Sequence, residues 1–375
     1  MNNSATSKYE KFSFFNILKF IGIFSISIYY HFNILFLVKL GITPYQSENL
    51  ILHFLQKYSF VFVEMMFIIS GVLFTSSYMD KIKSTLSFDS FILQRVIRIY
   101  PVTIFTIVVS FIENIIIYKI SGSEWMGSTS TSDLIIELLY SSSDLFSSST
   151  SINDPLWYVS ILFLCYIIAY ILTRLSQKWN TILLYIIPIT YGIALHNVPF
   201  SFPFINSVIS RGVIAFFIGV YLGMILEKID YLTRKERNKL RIIMILELSL
   251  AIFLFLAGYG DSTIFFEFCI FPELIILMYR CIWLEAICTT KFVMWLGKIS
   301  FGIYAWNSPI YAFLYIMIIQ NYITLDYTSI WFQIIIISLH LIVAILSYHL
   351  YEKKITSWLT KRLSKHLDVY NAANN

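Results

Sequence analysis

Charge is what this chain has least of. Only 13% of its 375 residues are Asp, Glu, Lys or Arg, against 58% hydrophobic, where a soluble domain carries roughly 25% charged residues. The shortage excludes a soluble globular protein, which would have no means of hiding so much apolar surface. Cysteine is scarce as well. Cys165, Cys269, Cys281 and Cys288 all lie in or beside apolar runs and none makes a C-x-x-C pair, which argues for plain packing and against disulfide or metal chemistry. No small-residue cleavage site closes a short apolar leader. The first run is long and many follow it, so it is expected to stay in the membrane as a span from about residue 14 onward. No internal repeat and no second, soluble domain can be read.

What the chain has is apolar runs of about 20 residues, recurring from end to end, which is the pattern of a multi-pass helical membrane protein. Ten spans are expected, at 14–38, 54–78, 99–120, 154–173, 181–197, 207–227, 242–260, 263–284, 297–320 and 329–351. With the N-terminus in the cytoplasm, the inner segments hold twenty Lys and Arg and the outer segments only Lys39. This bias predicts an all-α, polytopic protein with both termini cytoplasmic. The net charge of +5 then reports loop orientation and gives no reason to expect a nucleic-acid partner. The RKERNKLR run at 234–241 reads as a solvated inner loop against anionic lipid. The Ser/Thr-rich outer segment 121–153 reads as a flexible linker or as a lip over an outward-facing site, with 134–140 able to lie on the membrane surface. Residues 1–360 are expected to form one membrane domain and 361–375 a basic cytoplasmic tail.

Ionisable groups inside spans are costly and need a partner or a role. His31, Glu64, Glu113, Arg211, Glu267, Glu273, His340 and His349 are of this kind. His31 closes the run LKFIGIFSISIYYHFN, in which Lys19 is the other ionisable residue. Twelve positions apart on a regular helix, the two lie about 18 Å apart along the axis and about 120° around it, so they are not a bonded pair. Lys19 falls near the inner mouth and His31 deeper toward the outer side. Arg95 and Arg98, at i and i+3 in SFILQRVIRIYP, share a face, and Pro101 marks a turn or the start of the next span. Two guanidiniums at an inner mouth suit a phosphate-bearing cofactor, or serve as ordinary positive-inside anchors.

The order of these pieces resembles the membrane-bound acyltransferase 3 family, which includes polysaccharide O-acetyltransferases. The likeness covers about residues 12 to 360. It is carried by LKFIGIFSISIYYHF with its basic residue and histidine, VEMMFIISGVLF at 63–74, QRVIRIYP at 94–101, DPLWYVSILFLCYI at 154–168 and WLGKISFGIYAWNSPI at 295–310, with RGVIAFFIGVYLG and SYHLYEKK in weaker support. Three positions depart from the family pattern. Lys19 stands where the family usually has Arg, one residue further from the histidine. Asn307 stands where the last block often has His. Lys353 follows Glu352 where Pro is common.

The resemblance implies transfer of an acyl group, usually acetyl, from acyl-CoA to a carbohydrate hydroxyl, with no metal. In that scheme His31 is the general base, or relays the acyl group itself. Arg95 and Arg98, with Lys19, hold the CoA phosphates. Glu64 orients His31, or pairs with Arg211, or is a satisfied core carboxyl. Trp157 and Tyr158 are interface anchors or sugar-stacking rings, and Ser70, Arg211 and Asn307 join the substrate contacts. Gly71 permits close helix contact. Glu113, His340 and His349 have no motif behind them and read as structural. The implied partners are acyl-CoA, a carbohydrate acceptor, the bilayer and polysaccharide-synthesis machinery, in a bacterial cell membrane. A glycan or lipid-linked exporter is the competing reading, since transporters also keep ionisable groups at mid-membrane; Pro188 and Pro272 do not make the matched pair of broken spans it predicts. A sensor or assembly subunit with a degenerate site is a third reading, supported by Lys19 and Asn307.

Overall fold

A backbone surrounded by apolar side chains can satisfy its N–H and C=O groups only with itself, and in this chain it does so as helix. The computed structural model describes residues 11–44, 47–125, 127–140, 151–179, 183–196, 202–260, 262–324, 326 and 329–373; no strand occurs among them. In chain order the helices are α1 (Phe14–Leu37), α2 (Leu50–Ser84), α3 (Phe88–Ser121), α4 (Thr131–Tyr140), α5 (Asp154–Trp179), α6 (Leu183–Leu195), α7 (Ser207–Ile229), α8 (Arg234–Leu256), α9 (Thr263–Cys269), α10 (Phe271–Met278), α11 (Ile282–Cys288), α12 (Lys291–Ala305), α13 (Asn307–Ile319) and α14 (Ile330–Leu363). Among the described residues, six of them (α1, α2, α3, α5, α7 and α14) are long and apolar enough to cross a membrane, and the pair α11 and α12, bent by 71°, makes a seventh if taken as one span.

The other four expected spans are not single long apolar helices, for identifiable reasons. The run 181–197 yields only the short α6, and 263–284 is cut into α9 and α10 at Ile270. The run 297–320 is divided at Trp306 between α12 and α13. The run 242–260 belongs to a helix that starts much earlier. A capping box sets that start, with the Thr233 backbone N–H donating to Glu236 Oε2 at 2.8 Å and the Glu236 N–H to Thr233 Oγ1 at 3.3 Å. The 234–241 run is therefore the first two turns of α8 and not a loop. Similarly, α3 begins at Phe88, where Ser87 Oγ accepts from the Ser90 N–H, and Pro101 lies inside the helix. Proline has no N–H for the Ile97 carbonyl, which accepts from Thr356 Oγ1 at 3.5 Å instead.

The chain divides into two compact units. The first comprises residues 1–22, 60–85 and 164–298. At its centre α2 and α7 meet backbone to backbone. A Cβ on Gly71 would strike the Phe216 carbonyl, and one on Gly219 would strike Ile68 main chain, so small residues are what allow this approach. Thr75 Oγ1 bonds the Val220 carbonyl across the same seam at 3.0 Å.

The second unit comprises residues 23–59, 86–163 and 299–375. Phe36, Trp125, Tyr311 and Phe332 share one buried cluster, and Ile107, Ile152, Leu156 and Ala305 another. The Ser/Thr-rich segment is built into this unit as far as it is described. Trp125 and Glu137 are buried, Glu137 Oε1 accepts from the Ile152 N–H at 2.6 Å, and Leu134 and Leu138 pack on the Ile152 cluster. The 134–140 stretch is thus a packed helix, while residues 141–150 lie outside the described residues.

Candidate active site

The site is built in the second unit, where α1 leaves regular α geometry. Ile26–Tyr30 and Phe32–Leu37 are π-helical, and the His31 N–H reaches back five residues to Ile26. Single-turn π segments are uncommon and concentrate at functional positions. The expected 120° offset between Lys19 and His31 presumed a regular α-helix, and these turns break that register. The Ser27 carbonyl here accepts two side-chain donors, the Tyr311 hydroxyl at 2.7 Å and Asn307 Nδ2 at 3.1 Å.

Asn307 opens α13 directly after the interruption at Trp306. Pro309 supplies the physical cause. It lacks the N–H that would bond the Ala305 carbonyl, and Asn153 Nδ2 fills that place at 3.1 Å. Asn307 is fully buried, and its amide is held from three sides. Nδ2 donates to Ser27 and lies 3.3 Å from His340 Nε2, while Oδ1 lies 2.7 Å from His31 Nδ1. A flipped amide would set its oxygen against the Ser27 carbonyl, so the orientation is fixed by the bonds. An amide oxygen can only accept, so His31 Nδ1 carries the proton and donates. In the neutral ring the lone pair is then on Nε2, which has no hydrogen-bond partner among the described residues. His31 keeps 7% of its surface open. The ring is flanked by Tyr30 and by Tyr304, 6.3 Å away, which Tyr158 meets edge-on at 6.1 Å. An imidazole presenting one bare nitrogen, with the other tied down, is equipped to take a proton from a hydroxyl.

The remaining expected residues divide between the units. In the second, Tyr158 and Trp157 are half-buried at the start of α5. Arg95 and Arg98 sit on α3 but do not share an environment. Arg95 is buried with its guanidinium 5.4 Å over the Phe91 ring, whereas Arg98 is exposed. The 60° between i and i+3 positions spans the edge of the buried face. In the first unit, Lys19 is half-buried and Ser70 Oγ bonds the Met66 carbonyl at 2.8 Å. Glu64 is completely buried and its Oε1 accepts from Arg211 Nε at 2.5 Å. Glu267 on α9 is also buried, within reach of the charges on Glu64 and Arg211, and neither of its carboxyl oxygens has a hydrogen-bond partner among the described residues. Of the alternatives left open for Glu64, the pairing with Arg211 is the one observed, and the group that bonds His31 Nδ1 is Asn307. No three His, Cys, Asp or Glu side chains among the described residues converge as a metal would require.

Sequence reasoning named His340 but read it as structural, did not single out Tyr311, and placed Asn307 with the substrate. A polar side chain inside an apolar run was the available signal. It marks such residues as needing partners without naming them, and the contact between His31 and Asn307 bridges 276 positions.

No solved structure and no curated protein sequence matches the chain. A family profile described as an acyltransferase domain, acyltransferase 3, matches residues 12–349, nearly the entire chain. With a profile matched over nearly all of its length and long apolar helices in its structure, the protein belongs to the acyltransferase 3 family.

Proposed function

We propose that this membrane acyltransferase moves an acetyl or other short acyl group from acyl-CoA to a hydroxyl of a cell-surface or exported polysaccharide. The observation that carries the reading is the bond from His31 Nδ1–H to Asn307 Oδ1, which leaves Nε2 bare. A sugar hydroxyl is a weak nucleophile. In this scheme His31 Nε2 accepts its proton as the oxygen attacks the thioester carbonyl, the C–S bond then breaks, and the same proton passes from Nε2 to the departing CoA thiolate. Asn307 Oδ1 faces the charge that develops on the ring, and it holds the imidazole in one tautomer throughout.

The other assignments follow from this one. Arg98, with Arg95 one turn earlier on α3 at the edge of the buried face, would hold the donor's phosphates by charge. Tyr158, one ring removed from His31 through Tyr304, and Trp157 would stack on the acceptor sugar. In this reading the bundle spans the plasma membrane of a bacterium about ten times with both termini cytoplasmic, residues after 360 form a cytoplasmic tail, and polysaccharide-synthesis machinery supplies the acceptor. Mass spectrometry of surface polysaccharide from cells with and without the gene tests the function. An acetyl-sized shift that depends on the gene is expected, and identical glycans in both would overturn the reading.

A further inference from the structure

His340 lies on α14, one step behind Asn307 as seen from His31, and both of its ring nitrogens are engaged although the side chain is fully buried. We propose that His340 is a positioning residue for acyl transfer: acting on the Asn307 amide together with the Ser27 carbonyl, it sets which nitrogen of His31 carries the proton. The inference rests on the reading of His31 as the base.

The order of bonds leaves little freedom. His340 Nδ1 is 2.9 Å from the carbonyl of Ile336, one turn earlier on its own helix. A carbonyl only accepts, so Nδ1 is the protonated nitrogen and Nε2 presents a lone pair toward Asn307. Asn307 can meet a lone pair only with its NH2 group, which lies 3.3 Å away. Its oxygen is thereby directed at His31, whose Nδ1 must donate and whose Nε2 is left bare. The Ser27 carbonyl takes the second Asn307 N–H and is itself steadied by the Tyr311 hydroxyl. The Tyr311 ring in turn lies 5.2 Å from the His340 ring. The decision made at the Ile336 carbonyl is relayed through three side chains to the reacting nitrogen. A histidine present only for packing would need none of this, since an apolar side chain fills the space without two ring nitrogens to satisfy.

Solid-state 15N NMR of histidine-labelled protein in lipid vesicles reads the tautomer directly, with the His31 signals identified by their loss in His31→Ala. The wild type is expected to show a protonated Nδ1 and a bare Nε2 at His31. In His340→Leu, with His340→Met as a second apolar variant in case one fails to fold, a mixture of tautomers is expected. Each should show a kcat lowered about tenfold, the worth of one hydrogen bond, while KM for acetyl-CoA stays unchanged. His340→Gln, whose Oε1 can accept where Nε2 did, should restore both the single tautomer and the rate. A single unchanged tautomer with an unchanged kcat in the apolar variants would overturn the proposal. So would a glutamine variant as impaired as the apolar ones. If the spectra shift as expected but no variant, wild type included, transfers acetyl, then the assignment of His31 as base fails and the positioning by His340 stands.

Discussion

The two units bury polar side chains in opposite ways. In the first, the Glu64 carboxyl meets the Arg211 guanidinium at 2.5 Å, with a second carboxyl, Glu267, close enough to feel their charge. In the second, His31, Asn307 and His340 form a row of groups that need carry no net charge, each using its donors and acceptors on the next. The strength of the ion pair depends on both partners being present. The neutral row costs less to desolvate, because no ion leaves water, and it ends in an unused lone pair. Charge suits a structural tie within apolar helices, and a neutral hydrogen-bonded row suits a reactive group.

That contrast is broken most severely at the ion pair. Arg211→Leu leaves Glu64 buried without its cation and should cost about 3–5 kcal/mol of stability, visible as a large drop in the thermal midpoint of detergent-solubilised protein. Adding Glu64→Gln to it should recover much of the loss. If Arg211→Leu alone melts like wild type, the pair is not the tie described. Asn307→Leu should cost less, about 1–3 kcal/mol for the donors and acceptors it orphans, yet it should abolish transfer, because His31 loses its orientation; full activity in a folded Asn307→Leu protein would separate Asn307 from the chemistry. Gly219→Val tests packing in the first unit without touching charge. Its side chain would meet Ile68 main chain, and about 1–3 kcal/mol of destabilisation by the same melting measurement is expected.

The smallest effect belongs to a peripheral ion pair of the first unit. Lys11 Nζ and Arg280 Nε contact Asp230 at 2.6 and 3.0 Å. Burial pushes the Asp230 carboxyl up, but hydrogen bonds from Lys11 and Arg280, the Arg280 charge and the Tyr279 hydroxyl outweigh it and hold the group below the ordinary carboxylate value. A carboxyl whose folded pKa is lowered stabilises the fold fully above its unfolded value, about 3.9, and loses that contribution as pH falls through the lower folded value. For this half-buried network, with side chains 18–26% exposed, the contribution is about 1 kcal/mol. Asp230→Asn should therefore lower the melting midpoint slightly at pH 7 and leave the protein indistinguishable from wild type in strong acid. An equal difference at both pH values would remove Asp230 from the account.

Much of this was legible before any coordinates. Hydropathy and scarce charge announced membrane helices, the ordered blocks announced the family, and one histidine in an apolar run marked where the candidate site is proposed. Span boundaries were less legible, because local capping and proline chemistry override hydropathy. Ser87 and the Thr233 capping box start helices well before the apolar runs do, and Pro309 interrupts one that hydropathy reads as continuous. Least legible were partners. Sequence offered Arg211 only as one of three readings for Glu64 and gave Asn307 no pairing with His31, since both contacts join distant segments. Arg95 and Arg98 show the limit of spacing alone: three positions apart on one helix, they end on either side of a burial boundary.

The central claim is that His31 takes the proton of the acceptor hydroxyl. Its most direct test is the release of CoA thiol from acetyl-CoA by purified wild-type and His31→Ala protein in vesicles, with acceptor glycan present and melting curves recorded alongside. The account predicts a rate lower by about 10²–10⁴-fold in the variant while it still unfolds as a folded membrane protein does; a variant that releases thiol and acetylates the glycan at the wild-type rate would contradict it.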